Sequence, residues 1–169
     1  DTSNFNYWND NDVNSLLSDG ADGVWVGTYD GGLGHLTPDG NFEVFHTRNS
    51  DLPDNWVSSL LSDGAGGVWV GTQYGGLAHL TPDGNFEVLH TSNFDLPDNW
   101  VSSLLSDGTG GVWVGTVFGG LAHLHSDGIW EVFDEANSDL PDNDVECLLS
   151  DGAGGIWVGT FEGGLAHLT

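Results

Sequence analysis

Basic residues are almost missing from this sequence. Of 169 residues only Arg48 carries a fixed positive charge, against 26 Asp and Glu, for a formal charge of −25. Phosphate contacts need Lys and Arg, so nucleic acid is excluded as a partner, and docking on an anionic membrane surface is excluded on the same ground. Methionine is absent and cysteine occurs once, at Cys147, so no disulfide can form within the chain. No apolar run reaches the roughly 18 residues of a transmembrane helix, and no basic-then-apolar leader opens the sequence. The chain begins at Asp1 rather than methionine, which implies processing or a fragment.

What is plentiful points to a folded β protein. Eight Trp, eight Phe and three Tyr are too many for a solvated acidic tail, and 27 glycines imply many tight turns between short strands. The tetrapeptide Trp-Val-Gly-Thr recurs at Trp25, Trp69, Trp113 and Trp157, each 44 residues after the last. Residues 51–94 match residues 95–138 at 32 of 44 positions, as expected of a duplicated unit. The register divides the chain into repeats 13–56, 57–100, 101–144 and an incomplete 145–169.

Each repeat reads as four strands. In residues 57–91, Val57–Leu61 is the first strand, and Ser62–Gly67 is a turn rich in residues that tolerate positive φ. Val68–Thr72 is a second strand buried on both faces. Gln73–Gly76 turns into Leu77–Leu80, and an Asp-Gly hairpin turn at Pro82–Asn85 leads to an alternating outer strand, Phe86–His90. Four short antiparallel strands per 40–45 residues mark a β-propeller blade. The expected fold is therefore all-β, a single propeller or half-propeller domain over 1–169 with four blades, the last lacking its fourth strand.

The residues Val57-Ser-Ser-Leu-Leu-Ser-Asp-Gly, then Val-Trp-Val-Gly-Thr and Gly-Gly-Leu, resemble the two-component regulator propeller repeat. That resemblance implies blades of an extracytoplasmic sensor domain from a bacterial hybrid histidine kinase, hence an extracytoplasmic location. Those sensors carry more blades, a membrane helix and a kinase. The WD40 blade is a poorer match, because its Gly-His and Trp-Asp pairs are missing. Ser62–Trp69 is also similar to a sialidase Asp-box, with the Asp spacing off, which implies a shared turn and no catalysis.

Chain closure is the open question at this level. Single-chain propellers typically close with 4–8 blades. The chain is about one strand short of four, and its opening residues resemble only a connecting loop, Thr2–Phe5 matching Thr91–Phe94. Two chains joining into an eight-bladed ring is the favoured expectation. The alternatives are a closed four-bladed monomer, a segment of a longer array, and an engineered or excised propeller fragment.

Candidate sites follow from what repeats and what varies. His35, His79, His123 and His167 recur on separate blades, so buried hydrogen-bonded structural roles are expected. His123 and His125 share one side of a strand, but no third metal ligand is evident, and no metal site is assigned. Asp19, Asp63, Asp107 and Asp151, with Asp39, Asp83 and Asp127, are expected to cap turn amides. Calcium is the one cofactor they suggest, without any EF-hand or RTX spacing. Glu43, Glu87 and Glu131 read as solvated, Cys147 as a buried inert thiol, and the repeated Trp residues as packing between blades.

The opposite face carries the variable positions. Tyr29-Asp30, Gln73-Tyr74, Val117-Phe118 and Phe161-Glu162 occupy the second-to-third turns, and Trp56 and Trp100 the inter-blade loops, where the other repeats have Asp12 and Asp144. Aromatic rings beside polar groups suit stacking on a sugar or gripping a peptide. The expected ligand contacts are Tyr29, Asp30, Trp56, Gln73, Tyr74, Trp100, Phe118, Phe161 and Glu162. No nucleophile–base–acid set appears. The expected function is a non-enzymatic scaffold or binding module for a glycan or peptide, with a multivalent lectin and a purely structural self-assembling unit as alternatives.

Overall fold

A computed structural model describes residues 12–169; the likeness of Thr2–Phe5 to Thr91–Phe94 lies outside them. All regular structure described is β, in four antiparallel sheets that follow the chain. Blade 1 holds β1 (Val13–Ser18), β2 (Val24–Thr28), β3 (Leu33–Leu36) and β4 (Phe42–Phe45). Blade 2 holds β5 (Val57–Ser62), β6 (Val68–Thr72), β7 (Leu77–Leu80) and β8 (Phe86–Leu89). Blade 3 holds β9 (Val101–Ser106), β10 (Val112–Thr116), β11 (Gly120–Leu124) and β12 (Trp130–Phe133). Blade 4 has three strands, β13 (Val145–Ser150), β14 (Ile156–Thr160) and β15 (Gly164–Leu168). These are propeller blades, as the period requires. The first strands line the inside, β1 packing on β5, β5 on β9 and β9 on β13.

Register assigns each residue to a face. In blade 2, Leu61, Trp69, His79 and Glu87 form one cross-strand row, and Leu60, Val70, Ala78 and Val88 form the next. Adjacent rows point to opposite faces. Leu61 and Trp69 therefore face blade 3, whose Val112, Val114, Ala122 and Leu124 complete that core. Val70, Ala78 and Leu80 face blade 1, against Leu33, Leu17 and Trp25. The same contact is built between blades 3 and 4 from Trp113 and Leu121 against Ile156 and Val158. One packing solution is thus used three times.

At the inner edge this packing is a knob in a notch. Val57, Val101 and Val145 are all 0% exposed. Each sits over a glycine of the preceding blade: a Cβ on Gly27, Gly71 or Gly115 would lie 2.5–2.7 Å from the valine Cγ1. Beside each knob, Asn14 Nδ2 donates to Val57 O, Ser58 Oγ to Val101 O and Ser102 Oγ to Val145 O, so successive blades are also hydrogen-bonded.

Among the described residues nothing covers either end of the array. Val13, the equivalent of the three buried knobs, is 53% exposed, and Leu16 beside it 66%. At the far end Leu165 is 67% exposed, where Leu33, Leu77 and Leu121 are at most 1%. Leu149 and Trp157 are exposed on the same face, and the notch at Gly159 holds no valine. Cys147 is a correction to the sequence reading: it is exposed, because no following blade covers the position at which the Ser59 hydroxyl is buried.

Candidate functional site

The turn between the first and second strands is rigid, which frees the other face to vary. Asp63 Oδ1 accepts the Ala65 and Gly67 amides at 2.7 and 2.8 Å, and its Oδ2 takes the His79 Nε2 proton at 2.9 Å. His79 stacks on Trp69 with ring centroids 4.2 Å apart. Asp19–His35, Asp107–His123 and Asp151–His167 repeat the arrangement at 2.9–3.1 Å. The histidines are hydrogen-bonded as expected, and those of the first three blades are largely buried. Among the described residues the turn aspartates gather in no group of three, and their oxygens are committed to amides, hydroxyls and imidazoles.

Burial of Asp107 opposes its ionisation. The Thr109 amide, the His123 ring, the Thr109 hydroxyl and the Gly111 amide outweigh it and hold the carboxyl down at about 2, against an ordinary 3.8. A depressed acid stabilises the fold above its unfolded value and loses that contribution as pH falls through the folded one. Thermal unfolding followed by circular dichroism should show a melting temperature that drops between pH 4 and pH 2. Asp107→Asn should cost about 1.5–3 kcal/mol at neutral pH, as loss of hydrogen bonds to a charged group does, and should flatten that acid slope.

On the opposite face the inter-blade loop fixes the tips of the second-to-third turns. Asp54 Oδ1 accepts the Trp56 amide at 3.2 Å, and its Oδ2 accepts the Tyr74 amide at 2.8 Å. Asp142 does the same for Asp144 and Glu162, at 3.1 and 2.9 Å. The Gln73 amide donates to Trp56 O and the Val117 amide to Trp100 O. Variable side chains therefore stand on a repeated, hydrogen-bonded frame.

Most of the expected aromatic contacts come together there. Tyr29 meets Trp56 with centroids 4.0 Å apart, and Trp56 meets Trp100 at 6.2 Å. Tyr74 lies 6.4 Å from Trp56 and 6.2 Å from Trp100, and Phe118 lies 6.1 Å from Trp100. Trp56, Trp100, Phe118 and Phe161 line a cavity of about 480 Å³ at the inner mouth of the blades. Tyr74, Phe118 and Phe161 are each about two-thirds exposed. Three expected residues stand apart. Gln73 is 3% exposed, with its Oε1 buried and unpartnered, so it offers the mouth no surface. Asp30 lines a separate small pocket with His46 and Arg48. Glu162 is exposed at its turn tip.

Sequence reasoning missed the polar side of the mouth. Asn14, Ser58 and Ser102 line it from the first strands, and Asp144 and Glu146 from blade 4. The available signal was Glu146, an acid where the other repeats have Asn or Ser. Burial pushes the Asp144 carboxyl up, and the Glu146 and Asp142 charges add to it. The mouth thus has an indole wall on blades 2 and 3 and a carboxylate wall on blade 4.

Residues 51–74, 95–118 and 139–162 each match the family model of the two component regulator propeller. The matched segments run from the inter-blade loop through the first two strands of blades 2, 3 and 4, which resemble the two-component regulator propeller repeat there. The repeat frame, Asp-Leu-Pro-Asp-Asn through Trp-Val-Gly-Thr, is the part that builds the loop and the second strand. Among solved structures, the extracellular domain of the hybrid two component system BT3049 from B. thetaiotaomicron superposes with a TM-score of 0.81 at 28% identity. The match covers 99% of this chain and 23% of that one, so the chain spans about a quarter of that relative. PorZ, a surface component of the type-IX secretion system of Porphyromonas gingivalis, shares the fold at 17% identity and a TM-score of 0.69, covering 93% of this chain and 26% of its own. The gluconolactonase XC5397 from Xanthomonas campestris shares it at 14% identity and 0.64, covering 92% and 61%. No curated protein sequence matches the chain.

Proposed function

We propose that this chain is a non-enzymatic binding propeller of the sensor type, working outside the cytoplasm, and that it binds a glycan or a peptide at the aromatic mouth. The observation that carries the reading is the convergence of Trp56, Trp100, Phe118 and Phe161 on one cavity, opposite Asp144 and Glu146. Indole faces stack on the apolar face of a sugar or on a peptide side chain. The carboxylates accept bonds from sugar hydroxyls or from basic and amide groups of a peptide. The four repeated histidines stay with their turn aspartates, and none of them lines this mouth. The similar BT3049 domain is extracellular, which supports the location.

A second copy is the proposed partner that completes the ring. The bare Val13 and Leu16 face has the composition of the faces that pack inside the chain, and the bare Leu149, Trp157 and Leu165 face matches their counterparts. Head-to-tail pairing of two chains satisfies both ends of both copies and makes eight blades.

Binding is tested by titration with an immobilised glycan panel and a random peptide library. Trp100→Ala should weaken the selected ligand at least about tenfold, as truncation of a central aromatic anchor does. Phe94→Ala, an exposed aromatic away from the mouth, should leave binding unchanged. A ligand indifferent to Trp100, or silence across both panels, contradicts the reading. Glycan binding saturating at several sites per chain would favour the multivalent lectin.

A further inference from the structure

Blade 3 carries a side-chain cluster that the other blades lack. His125 follows β11, two residues after His123, and their ring centroids are 3.9 Å apart. Antiparallel pairing of β11 with β12 sets Glu131 directly across from His123. Glu131 Oε2 lies 3.6 Å from His125 Nε2. One ligand atom from each of the three residues lies within 4.8 Å of the others. We propose that His123, His125 and Glu131 form a binding site for one divalent transition-metal ion of the zinc type.

The chemistry of His123 favours this. Its Nε2 is tied to Asp107 Oδ2 at 3.0 Å, and its ring is clamped against Trp113 with centroids 3.9 Å apart. A proton on Nε2 donated to a carboxylate leaves the Nδ1 lone pair free. A carboxylate behind a ligating imidazole is the arrangement that fixes the tautomer and raises basicity at metal centres. His123 is the rigid ligand of the three. His125 and Glu131 have side chains 39% and 56% exposed. They can close to the separation of about 3.4 Å that tetrahedral zinc requires at metal–ligand distances near 2.1 Å.

Departure from the repeat is a second, independent observation. The position of His125 is Thr37 in blade 1 and Thr81 in blade 2, where the hydroxyl donates to Asp39 and Asp83 at 2.5 Å. Blade 3 has given up that turn bond, and its Asp127 instead accepts the Ile129 amide. Blade 2 has a His79–Glu87 pair 3.9 Å apart, with Thr81 at the position of His125. Beside the cluster a cavity of about 260 Å³, lined by His123 and Glu131 and by Gly154–Ile156 of blade 4, leaves room for a water as the fourth ligand. Two imidazoles and one carboxylate select zinc, copper or nickel over calcium or magnesium, which prefer all-oxygen sets. The surrounding negative charge raises the local cation concentration.

The test is isothermal titration of the full, tag-free chain with zinc chloride at neutral pH, with calcium chloride in parallel. The expected result is one zinc per chain, undisturbed by millimolar-excess calcium, and a raised melting temperature with zinc. His125→Thr restores the residue found in blades 1 and 2 and should preserve the fold while weakening zinc more than about tenfold. Asp107→Asn, which loosens the His123 ring, should weaken it about 10–100-fold, and Glu87→Gln should have no effect. Absence of zinc binding, zinc binding unchanged in His125→Thr, or equal displacement by calcium would overturn the proposal.

Discussion

Gly71→Val is expected to lower the melting temperature of the chain by roughly 6–12 °C. The position is one of three where a blade receives the valine knob of the next. A Cβ there would stand 2.3 Å from Ser59 Oγ and 2.7 Å from Val101 Cγ1, and Val101 is 0% exposed. Two γ-carbons beyond that Cβ have nowhere to go unless blades 2 and 3 separate. Overpacking of this kind costs about 3 kcal/mol or more, and about 1 kcal/mol moves the melting point of a chain this size by 2–4 °C. Thermal unfolding by calorimetry measures it. A shift under about 2 °C would mean that the blades slide freely and that the notch is not the contact that sets their spacing.

Val13→Asp is expected to leave the fold of the single chain intact and to abolish association. Val13 is 53% exposed, so the chain alone loses little by the change. In a two-chain ring the same side chain would occupy the vacant notch at Gly159, matching Val57, Val101 and Val145, which are all 0% exposed. A carboxylate placed there has no partner, and burying an unpaired charge costs far more than a valine contributes. Cys147 reports the outcome without a label of its own, since it is exposed on the single chain and stands next to that notch. Reaction with a thiol reagent should be slow in the native assembly and fast in Val13→Asp. Equal rates in both would show that blade 4 stays bare.

Much of this architecture is legible in one sequence because the repeat reports itself four times. The 44-residue period, the Gly-rich turns and the alternating Phe86–His90 stretch give the strands nearly residue for residue. Asp63 as a turn cap and His79 as a structural residue are readable for the same reason, though their pairing is not. What depends on a neighbour was harder to read. Cys147 looks like its counterpart Ser59, whose hydroxyl is buried, until one asks what packs on blade 4. Glu131 is exposed, as its outer-strand position implies, but only the β11–β12 register shows that it stands across from His123. Asp144 and Glu146 reach the mouth only because the first strands converge at the inside, which no local pattern encodes. Gln73 shows the converse: a variable turn position that faces inward.

The charge of −25 bears on assembly more than on ligand choice. Half of the 26 acidic residues are aspartates copied with the blades, seven in the turns and six in the inter-blade loops, and bringing two such chains together is opposed by repulsion that salt screens. The measurement that tests the ring most directly is the mass of the native chain in solution by light scattering, at low and at physiological salt. Two chains in one ring predict twice the 17.9 kDa of the single chain, with association strengthened by salt. A mass that stays at 17.9 kDa at every concentration and salt would contradict it.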